Sequence, residues 1–272
     1  MIKGDYHIHT PFCPHGSSDD WELYIKQAIA LGLKEVSFTE HAPLPQSFND
    51  PVPEQDSAMN WSDLPVYFEQ GEALKEKYQH QIKINLGFEV DYIEGYEDET
   101  KAFLNRYGEQ IDDSILSVHM LKVSNKDYAC LDYSSKEFGR IIDCLGSVES
   151  VYQTYYETVK KAVMADLGVY KPTRIGHLSL VEKFHLKYPS QFSNDEIINE
   201  ILALIKAKNY SLDLNTAGLH KPLCQSIYPN NKIIQKAMRL EIPLIPGSDS
   251  HEASTVGRDF SKIKEYLNKT RS

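Results

Sequence analysis

Ile2-Lys3-Gly4-Asp5-Tyr6-His7-Ile8-His9 has the character of a short strand and ends in two imidazoles spaced two residues apart, His7 and His9. On a strand that spacing sends both side chains out of one face, where they can converge on a single ion. Six further short apolar segments also end in polar residues: 35–41, 82–91, 115–120, 173–180, 210–215 and 243–249. Helix-like stretches separate them. Residues 20–31 place Leu23, Ile25, Ala28, Ile29 and Leu31 near the 3.6-residue period, and Gly32 supplies a stop. Residues 194–208 repeat the device, with Ser193 as cap and Ile197, Ile198, Ile201, Leu202 and Ile205 as the buried stripe.

Strands alternating with helices along the whole length predict a parallel α/β architecture, and seven such units nearly close a TIM-barrel-like barrel. No Pro/Gly/Ser-rich linker divides the sequence, so 1–272 is expected to be one domain. Two connections are unusually long: 42–60, rich in proline, and 122–147, rich in polar and aromatic residues. Loops of such length are usually functional or disordered.

Parallel barrels carry their sites at the C-terminal ends of the strands, and metal-ligating residue types recur at that address. His15 follows the first strand, His41 ends the second, and Glu89 lies near the end of the third. His119 lies near the end of the fourth and His177 in the fifth, and the seventh ends in Asp249 and His251, again two residues apart. Of the ten histidines, only His80, in a polar helix, and His185, in a lysine-flanked segment, fall elsewhere. Imidazole mixed with carboxylate suits zinc, manganese, iron or cobalt, whereas calcium and magnesium ask for mostly oxygen donors. The expectation is a transition-metal cluster at the strand ends.

Composition narrows the remaining choices. An apolar fraction of 41% is ordinary for a globular protein. No window approaches the roughly 18 apolar residues of a membrane span, and no signal-peptide hydrophobic stretch precedes His7, so a cytoplasmic location is expected. Cys13, Cys130, Cys144 and Cys224 stand far apart without a Cys-x-x-Cys pair, which argues for reduced, mostly buried thiols. A net charge of −10 opposes nucleic acid and favours a small ligand, with bound cations offsetting part of the charge in one cleft.

The motifs His7-Ile8-His9-Thr10, Thr39-Glu40-His41, Gly87-Phe88-Glu89, Ser117-Val118-His119, Ile175-Gly176-His177 and Gly247-Ser248-Asp249-Ser250-His251 occur in that order over nearly the whole chain. Together they resemble the polymerase and histidinol phosphatase (PHP) family. Arg174-Ile175-Gly176-His177-Leu178 and Asp213-Leu214-Asn215-Thr216-Ala217-Gly218 are most similar to its monofunctional histidinol-phosphate phosphatase branch. The resemblance implies a distorted (β/α)7 barrel holding three divalent transition-metal ions, with zinc, manganese and iron as candidates. One site would use His7, His9, Glu89 and Asp249. Glu89 would bridge to a second site completed by His119 and His177, and a third would use His15, His41 and His251.

Phosphate-monoester hydrolysis needs a nucleophile at neutral pH and stabilisation of charge on the phosphoryl oxygens, and a metal-bridging water acidified to about pH 7 can furnish hydroxide. Asp249 is expected as ligand and proton shuttle, or as ligand alone. Arg174, three residues before His177, is a candidate bidentate phosphate clamp or else a solvated strand-start charge. His220 and Lys221 follow the sixth strand, and either can contact phosphate or protonate the leaving alkoxide. The resemblance implies an arginine near position 220, which this chain replaces with His220, and Lys221 can compensate. Recognition of a histidinol moiety calls for an acidic partner for its ammonium group. Asp127, Asp132, Glu137 and Asp143 in 122–147, and Asp50, Glu54 and Asp56 in 42–60, are available. Another small-substrate PHP phosphoesterase is the nearest competing expectation. A metal-dependent amidohydrolase would commonly place a bridging lysine at a strand end, and none is so placed, while a degenerate metal-binding domain should have lost ligands, and all nine positions are filled.

Overall fold

The structure, a computed structural model, describes residues 2–269. Its first part comprises β1 (Gly4–Ile8), α1 (Trp21–Ala30), β2 (Glu35–His41), α2 (Leu64–Tyr78), β3 (Lys83–Asp91) and α3 (Glu97–Tyr107). The middle carries β4 (Asp113–Ser117), β5 (Met120–Lys122), β6 (Tyr128–Cys130), α4 (Ser135–Leu145) and α5 (Val148–Met164). Then follow β7 (Arg174–Ile175), α6 (Asp195–Ala207), β8 (Ser211–Asn215), α7 (Asn231–Arg239), β9 (Leu244–Gly247) and α8 (Phe260–Lys269).

Seven strands form one parallel sheet in the order β1-β2-β3-β4-β7-β8-β9. The two edges meet just past β9, where the Asp249 amide donates to the His7 carbonyl and the His9 amide donates to the Ser250 carbonyl, both at 2.8 Å. Closure makes the sheet a distorted (β/α)7 barrel. Asp5 pins the same seam from inside: fully buried, it accepts from the amides of Ser248 at 3.0 Å and Gly257 at 2.8 Å. Burial outweighs those bonds and raises its carboxyl to about 6.

Strand periodicity sorts the side chains between lumen and helices. In β3, Ile84, Leu86, Phe88 and Val90 join the hydrophobic core. Phe88, for example, packs on Tyr67 and Phe68 of α2 and Phe103 of α3, with ring centroids 5.3–5.8 Å apart. The alternate residues face inward, so Asn85 donates to Ser37, its register partner on the neighbouring β2, and Glu89 reaches the far end of the lumen. The polar strand ends are thereby forced together.

Three local expectations need correction. The buried face of α1 is Trp21, Tyr24, Ile25 and Ala28, leaving Leu23 and Leu31 about half exposed, because the larger aromatic rings fill the space against the sheet. Helix α6 starts after Asn194, one residue beyond the expected cap, though the Ser193 hydroxyl still accepts from the Asp195 amide at 3.3 Å. Most of 122–147 is ordered: β5 and β6 form an antiparallel hairpin and α4 follows, capped by Ser134, whose hydroxyl accepts from the Glu137 amide at 3.1 Å. Residues 42–60 contain no helix or strand, as their prolines suggested.

Gly87 is the register partner of Asp113 at the start of the β3–β4 pairing, and a Cβ there would stand 1.6 Å from the Asp113 carbonyl oxygen. Gly87→Ala is therefore expected to lower unfolding free energy by about 3 kcal/mol, measured by denaturant titration. A loss near zero would show that the two strands can part without cost.

Candidate metal centre

Glu89, 2% exposed, stands at the centre of a ring of imidazoles delivered by the strand ends. Its Oε2 lies 3.3 Å from His7 Nε2, 3.6 Å from His9 Nε2 and 3.3 Å from His41 Nδ1. Its Oε1 lies 2.8 Å from His177 Nε2 and 3.8 Å from His119 Nε2. Asp249 enters from the β9 end, its Oδ1 3.3 Å from His9 Nε2, 3.7 Å from His7 Nε2 and 3.6 Å from His251 Nδ1. The His251 ring stacks on His9 at 4.0 Å between centroids, and the tilted His41 ring lies 4.2 Å from it. His15, from the loop after β1, is more exposed, yet its ring is 5.1 Å from both His41 and His251.

Other carboxylates hold these rings by their far nitrogens. Asp213 binds His7 Nδ1 at 2.8 Å, Glu40 binds His9 Nδ1 at 3.3 Å, and Asp91 binds His119 Nδ1 at 2.8 Å. Such pairs fix ring orientation and tautomer, and leave Nε2 free to ligate. The fit to cations is tested most sharply at His7 and His9: both are fully buried, and both Nε2 atoms lack a hydrogen-bond partner. A buried orphan nitrogen is costly unless something else engages it, and a cation is the partner that this donor set suits. Donor atoms cluster within 4.8 Å in three groups: His7, His9 and Glu89; Glu89, His119 and His177; and His9, Cys13, His41 and His251. The third group brings in Cys13, which its isolation in the sequence marked only as a reduced thiol, and His15 stands beside that group.

Electrostatics follow from burial set against this crowd of charges. Burial disfavours protonation of His7, His9 and His119, but Asp213 and Glu89 still hold His7 well above the usual imidazole value. Asp249 and Glu40 likewise raise His9 to about 9, and Asp91 and Glu89 raise His119 to about 10. His41 and His251 go the other way, pushed well below the usual value by burial and by His9. Against burial, His7 and its neighbours keep Glu89 and Asp249 well below the carboxylate range.

Above the cluster opens a cavity of about 690 Å³, also lined by Asp132, Tyr133, Lys183, Lys221 and Arg258. Of the expected phosphate contacts, only Lys221 is placed there. Arg174 lies at the opposite, N-terminal end of the strands, beside a separate hollow of about 800 Å³. Its Nη2 donates to the Tyr6 carbonyl at 2.8 Å and to Asp113 at 2.9 Å, so it is a buried structural cation and not a phosphate clamp. His220 is exposed and engages Asp259, away from the cavity lining. Asp213 was missed although Asp213 and Asn215 repeat the His7/His9 spacing on β8. Lys183 and Arg258 carried no sequence signal.

A PHP domain model matches residues 5–217. The chain belongs to the PHP domain family. Its PHP relatives include the histidinol-phosphatase of Bacillus subtilis, 44% identical over 97% of this chain and 99% of that one. A Listeria monocytogenes structure provisionally assigned as a histidinol phosphatase, HisK, superposes with a TM-score of 0.91 at 43% identity, covering 96% of this chain and 99% of that chain. A Lactococcus lactis histidinol phosphate phosphatase, solved with zinc, L-histidinol and phosphate, shares the fold at a TM-score of 0.71 and 24% identity, covering 98% of this chain and 93% of that chain. Among the described residues of this PHP protein, no helix is long and apolar enough to cross a membrane.

A nitrogen must be free of its proton to bind a cation. Since the pKa values of His9 and His119 are raised to about 9 and 10, both rings carry protons at pH 8 when no cation is bound. Protein stripped by chelator and then given Zn²⁺ at pH 8 in weak buffer is expected to release protons, and its apparent zinc affinity to rise with pH through that window. Zinc uptake without proton release would contradict this electrostatic picture.

Proposed function

We propose that this protein hydrolyses L-histidinol phosphate to L-histidinol and phosphate in histidine biosynthesis. The carrying observation is 44% identity to a histidinol-phosphatase over 97% of the chain, in a protein that keeps a Glu89-centred cluster of imidazoles beneath an open cavity. Three divalent ions, of zinc, manganese or iron, are proposed. The first is held by His7, His9, Glu89 and Asp249, the second by Glu89, His119 and His177, and the third by His41 and His251 with His15, and with Cys13 adjacent.

Bound divalent cations supply Lewis acidity for the phosphoryl oxygens and acidify a bridging water at neutral pH. The chain's residues do the rest. Asp213, Glu40 and Asp91 orient the imidazoles. Lys183, Lys221 and Arg258 also line the cavity and offer the positive charge that a phosphate dianion would need there. Asp249, ionised and within 3.3 Å of His9, can carry a proton between the attacking water and the leaving alkoxide.

Assay of the purified protein against a panel of phosphomonoesters is expected to give its highest kcat/KM with L-histidinol phosphate. A nucleotide or sugar phosphate as best substrate would sink the specificity claim while leaving the phosphoesterase chemistry. Asp249→Ala and His41→Ala are each expected to lower kcat at least about 1000-fold in a protein whose circular dichroism is unchanged.

A further inference from the structure

The partly buried ion pair between Asp132 and Lys183 lies in the wall of the cavity and takes no part in holding the imidazole cluster. Asp132 follows the β5–β6 hairpin, and Lys183 lies in the single 3-10 turn Leu180–Phe184 after β7. Lys183 Nζ donates to the Asp132 carboxylate at 2.9 Å and to its carbonyl at 2.6 Å, and the Lys183 and Asp132 side chains are 17% and 21% exposed, respectively. Against the pull of burial, Lys183 and then His119 keep Asp132 ionised, and Asp132 keeps Lys183 charged. The coupling to His119 places the carboxylate within electrostatic reach of the Glu89, His119 and His177 group.

In L-histidinol phosphate the ammonium nitrogen sits on the carbon next to the CH2–O–P unit, so the substrate's positive and negative groups are neighbours. A complementary site must also carry its two charges side by side, negative facing ammonium and positive facing phosphate. Asp132 and Lys183 meet that requirement within the cavity. The other acids in the wall lack such a neighbouring cation or are otherwise engaged: Asp56 also lines the cavity, but among the described residues its carboxylate is paired with no lysine or arginine, so it offers only the negative half of the pattern. Asp91 is committed to both the amide and Nδ1 of His119, and Glu252 is exposed and accepts from Ser254. Asp127, Glu137 and Asp143, raised as candidates by the sequence, do not line the cavity.

We propose that Asp132 is the specificity-determining receptor for the substrate ammonium group: on binding, the ammonium takes the place of Lys183 at the carboxylate, and Lys183 turns to the phosphate. No covalent bond changes in this exchange. One ion pair is traded for two, and an ester without the amine would leave Asp132 and the phosphate competing for Lys183. This inference rests on the histidinol phosphate reading and deepens it.

The test compares L-histidinol phosphate with 3-(imidazol-4-yl)propyl phosphate, which differs only in lacking the amine. The wild-type protein is expected to favour the amine-bearing ester in kcat/KM. In Asp132→Asn that preference is expected to fall about 100-fold, and in Asp132→Glu to recover in part, with metal content measured by elemental analysis unchanged. An ion pair with a purely structural role would lower both esters alike, so a preference ratio within threefold of wild type in Asp132→Asn overturns the proposal. Loss of a metal equivalent overturns it too, by making Asp132 a ligand. If the wild type turns over both esters equally, the ammonium receptor fails while histidinol phosphate hydrolysis stands. If it turns over neither, the substrate reading itself fails and this proposal goes with it.

Discussion

Glu89 is a carboxylate removed from water and faced by five histidines, and much of the upper barrel is arranged around that fact. An ion buried without partners costs several kcal/mol even after relaxation. The partners come from β1, β2 and the residues just beyond β4 and β7, so the register of these strands is tied to one side chain on β3. The Ser117 hydroxyl also donates to Glu89, from the last position of β4. A strand slipped by one residue would turn its donor to the other face and leave Glu89 short of compensation. Charge satisfaction at the centre and barrel geometry are therefore one constraint, felt at two levels.

The seam between β1 and β9 shows how the backbone serves the same end. Asp249 lies just past β9 with φ of 54°, in the left-handed region that costs a non-glycine residue about 1–3 kcal/mol when over-determined by its surroundings. Its amide is held by the His7 carbonyl at 2.8 Å, and its Oδ2 accepts from Asn215 Nδ2 at 3.1 Å. These contacts fix the carboxylate over His7 and His9. The hydrogen bonds that close the barrel thus also aim the residue proposed as both ligand and proton carrier, and the strain is borne where sheet closure supports it.

Much of this was legible in the sequence because strands impose a period of two. His7 with His9 and Asp249 with His251 announce themselves by that spacing, and each of the seven barrel strands overlaps one of the apolar runs, although β7 occupies only Arg174–Ile175 of 173–180 and β4 begins two residues before 115. Arg174 misled because sequence proximity to His177 was taken for spatial proximity. At about 3.3 Å per residue, three positions back along a strand lie roughly 10 Å toward the opposite end, where Asp113 and the Tyr6 carbonyl hold the guanidinium. The hairpin and α4 hid for a different reason: strands of three residues are too short to show a period. The Ser134-x-x-Glu137 box was nonetheless a readable helix start. Cys13 carried no signal, since its place near His9, His41 and His251 depends on how the loop after β1 folds back.

The cluster and the cavity wall are built from different parts of the chain, and this division bears on how such a protein acquires a substrate. Most imidazole and carboxylate donors sit on strand ends that barrel closure holds rigidly. Asp132, Lys183, Lys221 and Arg258 come from connecting segments, which tolerate exchange far better than strands do. Lys183 binds both the carboxylate and the carbonyl of Asp132, so one ammonium group ties the segment after β6 to the turn after β7. Replacing those segments would change the charge pattern above the centre without disturbing Glu89 or its imidazoles. The chemistry of phosphate-ester cleavage can then stay fixed while recognition varies, because the two are coupled only through a few side chains that reach from the wall toward the cluster.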